Sequence, residues 1–178
     1  MQQSLARMAT QEPELAARLL VQALPAASAP IQEQLDYRLV VYNVGSYEVS
    51  ISNGSAAVSP VDGAVDANGK VDFELRTDAG TFVRMANGAN PLGLLLNGRV
   101  RIRGKRRRAL KLRKLARQLT MRDIARAGPA PDPDLLYRAL PYAVDPEWTV
   151  GQRFCIEYEI QPDETELLAA GVPGSQSR

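Results

Sequence analysis

The stretch Gly98-Arg-Val-Arg-Ile-Arg-Gly104-Lys105 comes nearest to a catalytic motif in this chain. Two glycines and a lysine outline a loop that cradles phosphate on backbone N–H groups, with Ser or Thr next to hold magnesium. Here five residues separate the glycines, against about four in that loop, and Arg106 occupies the magnesium position. Arg alternating with Val and Ile is also the pattern of a strand. Asp66-Ala67-Asn68-Gly69 has the look of the centre of a calcium loop. Aligning Gly69 with that loop's glycine, however, places Ala64 and Leu75 where its end ligands belong. There is no histidine, which removes Ser-His and Cys-His nucleophile pairs and every His-containing metal site. Cys155 stands alone between Phe154 and Ile156, as a packed thiol would. The acids Asp163, Glu164 and Glu166 suit a solvated helix start, where the dipole favours negative charge. No metal, no cofactor and no catalytic residue is expected, and the reading leans against an enzyme.

Charge is the second source of chemistry. Residues 79–122 contain no Asp or Glu but thirteen Lys and Arg, so the rest of the chain carries a formal −11 beneath an overall +2. Such segregation points either to a polyanionic partner or to pairing within the fold. Arg106, Arg107, Arg108, Lys111 and Lys114 are the candidates for an anionic surface such as a membrane. Nucleic acid is the third-ranked partner, because no aromatic residue stands between Arg84 and Arg122 to stack on bases. Apolar residues make up 45% of the 178, enough for a real core, and no apolar run reaches the roughly 18–20 residues of a membrane span. Glu12 and Glu14 interrupt the place where a signal peptide would be apolar, and a lone cysteine cannot form an internal disulfide. The expected location is the cytoplasm, with attachment to a membrane periphery in the anionic-surface reading.

The elements that must position these residues follow from periodicity. A helix is predicted over 14–24, then a linker from Pro25 to Pro30. Strands are predicted over 37–44, 47–52, 56–61 and 71–76, with turns at Asn53-Gly54 and Asn68-Gly69. The first of these is apolar on both faces and reads as central. Thr77 or Asp78 should cap a helix bearing Phe82, Met85 and Ala86 on one face, closed by Asn87-Gly88. Asn90 and Pro91 should open a second short helix that ends at Asn97-Gly98. Val100 and Ile102 should face inward from a fifth strand and Arg99, Arg101 and Arg103 outward. A basic helix should then align Ala109, Leu112, Ala116 and Leu119, with Leu115 beside them. After a hinge over 128–133, a short helix over 134–140, a late strand over 154–160 and a frayed tail are expected. The domains read as 1–30, an N-terminal helix and linker; 31–122, the main domain; and 123–178, an extension packed on it.

Residues 71–119, in particular VDFELRTDAGTFVRMANGANP and LLLNGRVRIRGKRRRALKLRKL, resemble the sterol-carrier-protein type of sterol-binding domain. Gly88, Pro91, Gly98, Gly104 and Leu112 fall on its pattern. The resemblance implies an α+β fold, a mainly antiparallel five-stranded curved sheet with helices over one face enclosing an apolar tunnel. It also implies binding or transfer of a sterol, fatty acid, acyl chain or similar lipophilic metabolite. On that reading Phe73, Phe82, Met85, Leu95, Ile102 and Leu112 face the ligand. The alternative is an enzyme or enzyme partner, cyclase-like, acting on a lipophilic biosynthetic intermediate, since positioning alone can promote a cyclisation. The oligomeric state is left open.

Overall fold

In β1, Leu35–Tyr42, the residues Leu35, Tyr37, Leu39 and Val41 are buried, while Asp36, Arg38, Val40 and Tyr42 point to the other face. This period of two follows from the pleat, and it recurs in every strand. The structure is a computed structural model that describes residues 2–61, 71–115, 132–143 and 150–151. β2 is Gly45–Ser52, β3 Ser55–Pro60, β4 Phe73–Asp78 and β5 Val100–Gly104. They form a five-stranded sheet in the order β3-β2-β1-β4-β5. All neighbours are antiparallel except β1 and β4, which run parallel. β1 is central, as its apolar faces predict. Tyr37 lies opposite Phe73 across the parallel pair, and their rings stack with centroids 5.1 Å apart.

The helices α1 (Gln2–Gln11), α2 (Pro13–Gln22), α3 (Leu24–Ala27), α4 (Ala79–Ala86) and α5 (Pro91–Leu96) come from the sequence on either side of the first four strands. α2 buries Leu15, Ala16, Ala17 and Val21, and α4 buries Val83 completely, in one core with the inward strand residues. Small alanines let α2 lie close to its neighbours. The fold is therefore α+β, with helices on the apolar face of the sheet. α4 starts where expected: Asp78 accepts the Thr81 N–H at 2.8 Å and the Thr81 hydroxyl at 2.7 Å.

Two expectations are corrected. The stretch read as a linker, Pro25 to Pro30, begins as the buried helical turn α3. Proline costs nothing in a first turn, and the Ser28 hydroxyl donates to the Leu24 carbonyl at 2.7 Å, closing the turn from within. The long basic helix is broken as well: α6 covers only Arg106–Ala109 and continues as a 3₁₀ turn, Leu110–Lys114. Like charges at i, i+3 and i+4 oppose α-helix, and cations at its N-terminus oppose the dipole.

The chain divides into two units, Met1–Asp145 and Pro146–Arg178. Within the first, α7 (Pro133–Ala143) packs against α1 and α2. Glu12 joins them, accepting from Arg138 at 2.9 Å and from the Tyr142 hydroxyl at 3.0 Å. Of the second unit, Val150–Gly151 is a turn with Val150 exposed. The Asn68-Gly69 turn, Ala116, Leu119, the late strand over 154–160 with Cys155, the acidic cluster and the tail lie outside the described residues. Among the described residues no helix is long and apolar enough to cross a membrane.

Candidate functional site

β4 and β5 pair so that Leu75 lies opposite Ile102 and Thr77 opposite Val100. Together with Met85 of α4, Leu95 of α5, and Ala109, Leu110 and Arg113, the side chains of Leu75, Val100 and Ile102 line an apolar pocket of about 50 Å³. Arg113 is the one charged group among these lining residues. Among the described residues this pocket is well below the roughly 300–1,000 Å³ of ligand cavities. The reason lies in the walls: Met and Leu side chains are long and adaptable, and interiors pack to high density.

Of the expected ligand-facing residues, Met85, Leu95 and Ile102 meet at this pocket. Phe73 is 1% exposed and belongs to the core, where it stacks on Tyr37. Phe82 and Leu112 are partly buried against the same core. Leu75, Val100, Ala109, Leu110 and Arg113 also line the pocket and are outside the expected ligand-facing set. The strand alternation carries the signal for the first two; Ala109 ends α6, and Leu110 and Arg113 depend on the 3₁₀ winding.

That winding explains how one short segment serves three surroundings. Residues three apart eclipse in a 3₁₀ turn. Leu110 and Arg113 therefore reach the pocket together, Leu112 and Leu115 the core, and Lys111 and Lys114 a single carboxylate, Glu33. Lys114 lies 3.3 Å from Glu33. Hydrogen bonds from Lys111 and then Lys114 hold the Glu33 carboxyl below its ordinary pKa.

Asp72 is the second anchor. It is 8% exposed and pairs with Arg108 and, at 3.1 Å, with Lys105. Burial pulls its pKa upward, but hydrogen bonds from Arg108, Lys105 and the Asp36 N–H outweigh that, and the net direction is down. Of the five cations assigned to an anionic surface, Arg108, Lys111 and Lys114 are thus engaged within the fold. Arg106 and Arg107 are exposed and take part in none of the described ion pairs. Leu96, 88% exposed, and Leu110 give apolar surface on the same connected elements.

A carboxyl whose folded pKa is depressed stabilises above its unfolded pKa and loses that contribution as pH falls through the folded value. The Asp72 contribution is therefore complete above about pH 4, near the unfolded aspartate value, and fades below it. Asp72→Asn is expected to cost about 1–3 kcal/mol at neutral pH, the range for hydrogen bonds to charged groups, and to flatten the acid limb of the stability curve. Urea titrations of both proteins between neutral pH and pH 3 check this; identical acid limbs would count against it.

The profile of the SCP-2 sterol transfer family matches residues 18–117. No curated protein matches the chain. Similar solved structures include the sec-alkylsulfatase Pisa1 from Pseudomonas sp., 13% identical with a TM-score of 0.41, covering 55% of this chain and 16% of that one. Sterol Carrier Protein 2 from Yarrowia lipolytica in its apo form is 18% identical with a TM-score of 0.32, over 50% of this chain and 74% of that one. Sterol Carrier Protein 2 Like 2 from Aedes aegypti is 15% identical with a TM-score of 0.34, over 60% of this chain and 95% of that one. The chain thus spans under a fifth of the alkylsulfatase it matches. The profile match begins inside α2 and takes in the whole sheet, α4, α5 and every wall of the apolar pocket; on that ground the chain belongs to the SCP-2 sterol transfer family, whose domains bind or transfer sterols and other lipids.

Proposed function

We propose that the chain binds the apolar part of a sterol, fatty acid, acyl chain or similar lipophilic metabolite at the pocket between β4, β5, α4, α5 and the 3₁₀ turn. The observation that carries this is the lining: seven apolar residues and one rim arginine, Arg113. Two of the walls are short elements, α5 of six residues and the 3₁₀ turn of five, so moving them apart would break few backbone hydrogen bonds. An entering chain replaces wall-to-wall contacts with its own. At about 0.8 kcal/mol per buried CH₂, a dozen methylenes offer on the order of 10 kcal/mol before the costs of opening and association. Arg113 would then meet a carboxylate or other polar head at the rim.

Titration with a fluorescent fatty acid tests the reading. Saturable binding, displaced by unlabelled fatty acid or by a sterol, is expected; no saturable uptake of any of these would sink it.

Delivery is assigned to Arg106 and Arg107 beside Leu110, on an anionic membrane. Each cation contributes up to about 1 kcal/mol near such a surface, and the attraction weakens with salt. The double variant Arg106→Gln, Arg107→Gln is expected to cosediment less with anionic vesicles while keeping its affinity for the soluble fluorescent probe. Equal sedimentation with neutral and anionic vesicles would remove the membrane from the account.

A further inference from the structure

The opposite face of the same strands holds a larger recess. Tyr42, Arg76, Asp78, Gly98, Arg99 and Arg101 line a cleft of about 260 Å³. Strand alternation sets it apart from the apolar pocket: β5 turns Val100 and Ile102 to one side and Arg101 to the other, and β4 does the same with Leu75 and Arg76. Arg76 and Arg101 are register partners across the two strands, so two guanidinium groups start from adjacent backbone positions. A third, Arg99, precedes β5. Three cations side by side repel one another, and such a group is stable where an anion completes it.

The local acids do not complete it. Asp78 is the cap of α4, and both its carboxylate oxygens accept from Thr81. Glu74 accepts from Arg76 Nε at 2.5 Å and lies opposite Arg103 in register. A guanidinium has five N–H donors, so Arg76 retains donors beyond that bond. Arg99 and Arg101 are exposed and take part in none of the described ion pairs. Counting Arg103 with the cleft's arginines against Asp78 and Glu74 leaves two positive charges. At Gly98 an added Cβ would meet nothing within 4 Å, so the wall there is open. Tyr42, 47% exposed, offers the flat edge of an aromatic ring at the same recess.

We propose that this cleft binds a small phosphate dianion, free or as the monoester of a soluble molecule. Planar guanidinium groups pair with phosphate oxygens two at a time, and a dianion matches the residual charge. Tyr42 would lie against the organic part of a monoester.

Isothermal titration calorimetry with inorganic phosphate and with phenyl phosphate tests it, and vesicles with and without a phosphomonoester headgroup form a third arm. Saturable binding of both soluble probes is expected, tighter for phenyl phosphate. The double variant Arg99→Gln, Arg101→Gln is expected to weaken both at least tenfold, Arg101→Lys to weaken them less, and Arg18→Gln, an exposed arginine on α2, to change nothing. Uptake of the fluorescent fatty acid is expected to persist in Arg99→Gln, Arg101→Gln, which separates this cleft from the lipid pocket. Absence of saturable phosphate binding, wild-type affinity in the double variant, or binding confined to vesicles would each overturn the proposal.

Discussion

Gly104→Ala is expected to destabilise the protein by about 3 kcal/mol or more, through two causes that add. The residue has φ near +99°, a region that an L side chain rarely adopts. A Cβ there would also lie 2.7 Å from the Asp72 carbonyl oxygen and 3.0 Å from the Phe73 Cα, both backbone atoms that cannot swing away. Relief would require β5 to leave β4. The next residue shows what would be lost: the Lys105 N–H donates to the same Asp72 carbonyl at 2.8 Å, and from there α6 and the 3₁₀ turn are laid over the pocket. For a chain of this size each kcal/mol lowers Tm by roughly 2–4 °C, so a fall of roughly 6–12 °C is expected. Gly80→Ala is the contrast. Gly80 sits inside α4 with only the Asp78 carboxylate oxygen nearby at 3.5 Å, and alanine there should stabilise by up to about 1 kcal/mol. Thermal and urea unfolding of the two variants decide the matter; a loss under about 1 kcal/mol at Gly104 would show that the strand end yields easily.

The strands and the α4–α5 pair were legible because alternation and capping residues are local signals. Val49 and Ile51 against Ser50, or Val100 and Ile102 against Arg101, state which face is wet without reference to any partner. They do not state which strand lies beside which. The parallel pairing of β1 with β4 depends on the path between distant segments, and no residue in Leu35–Tyr42 announces it. α1 carries no capping signature in the sequence, yet it buries Met8 in the common core. The basic segment departs from an α-helical period for a physical reason. An α-helical period aligns Ala109, Leu112 and Ala116, whereas the 3₁₀ period aligns Lys111 with Lys114 and Leu110 with Arg113. Repulsion among the cations disfavours the first, and the 3₁₀ turn brings Lys111 and Lys114 to Glu33, far away in sequence. Asp72 alternates with Val71 and Phe73 as a wet-face residue would, and its use as the anchor of Lys105 and Arg108 is visible only once the start of β4 and α6 meet. The candidate pocket was half legible for the same reason: Met85, Leu95 and Ile102 stand out by type, while Arg113 is one of many arginines until the fold brings it to the rim.

Met85→Lys is expected to reduce uptake of the fluorescent fatty acid by more than about a hundredfold while leaving the fold intact. Met85 is partly buried, so its replacement need not disturb the core cluster that holds the fully buried Val83, two residues earlier and about 200° around the helix. An ammonium at this wall would face Leu75, Leu95 and Ile102, with Arg113 as the only other charge among the lining residues. Arg113 repels it, and burying an unpaired charge beneath a lipid chain costs several kcal/mol. A loss of about 1.4 kcal/mol is tenfold in affinity, so a hundredfold effect requires only part of that penalty. Lysine is a sharper probe than aspartate here, because a carboxylate at position 85 would find Arg113 as a partner and partly rescue the site. The matched substitution Leu96→Lys places the same charge on the outward end of α5, 88% exposed, and should leave uptake of the soluble probe unchanged. Equal uptake by wild type and a folded Met85→Lys protein, with far-UV circular dichroism and Tm as the check on folding, would move the lipid site away from α4.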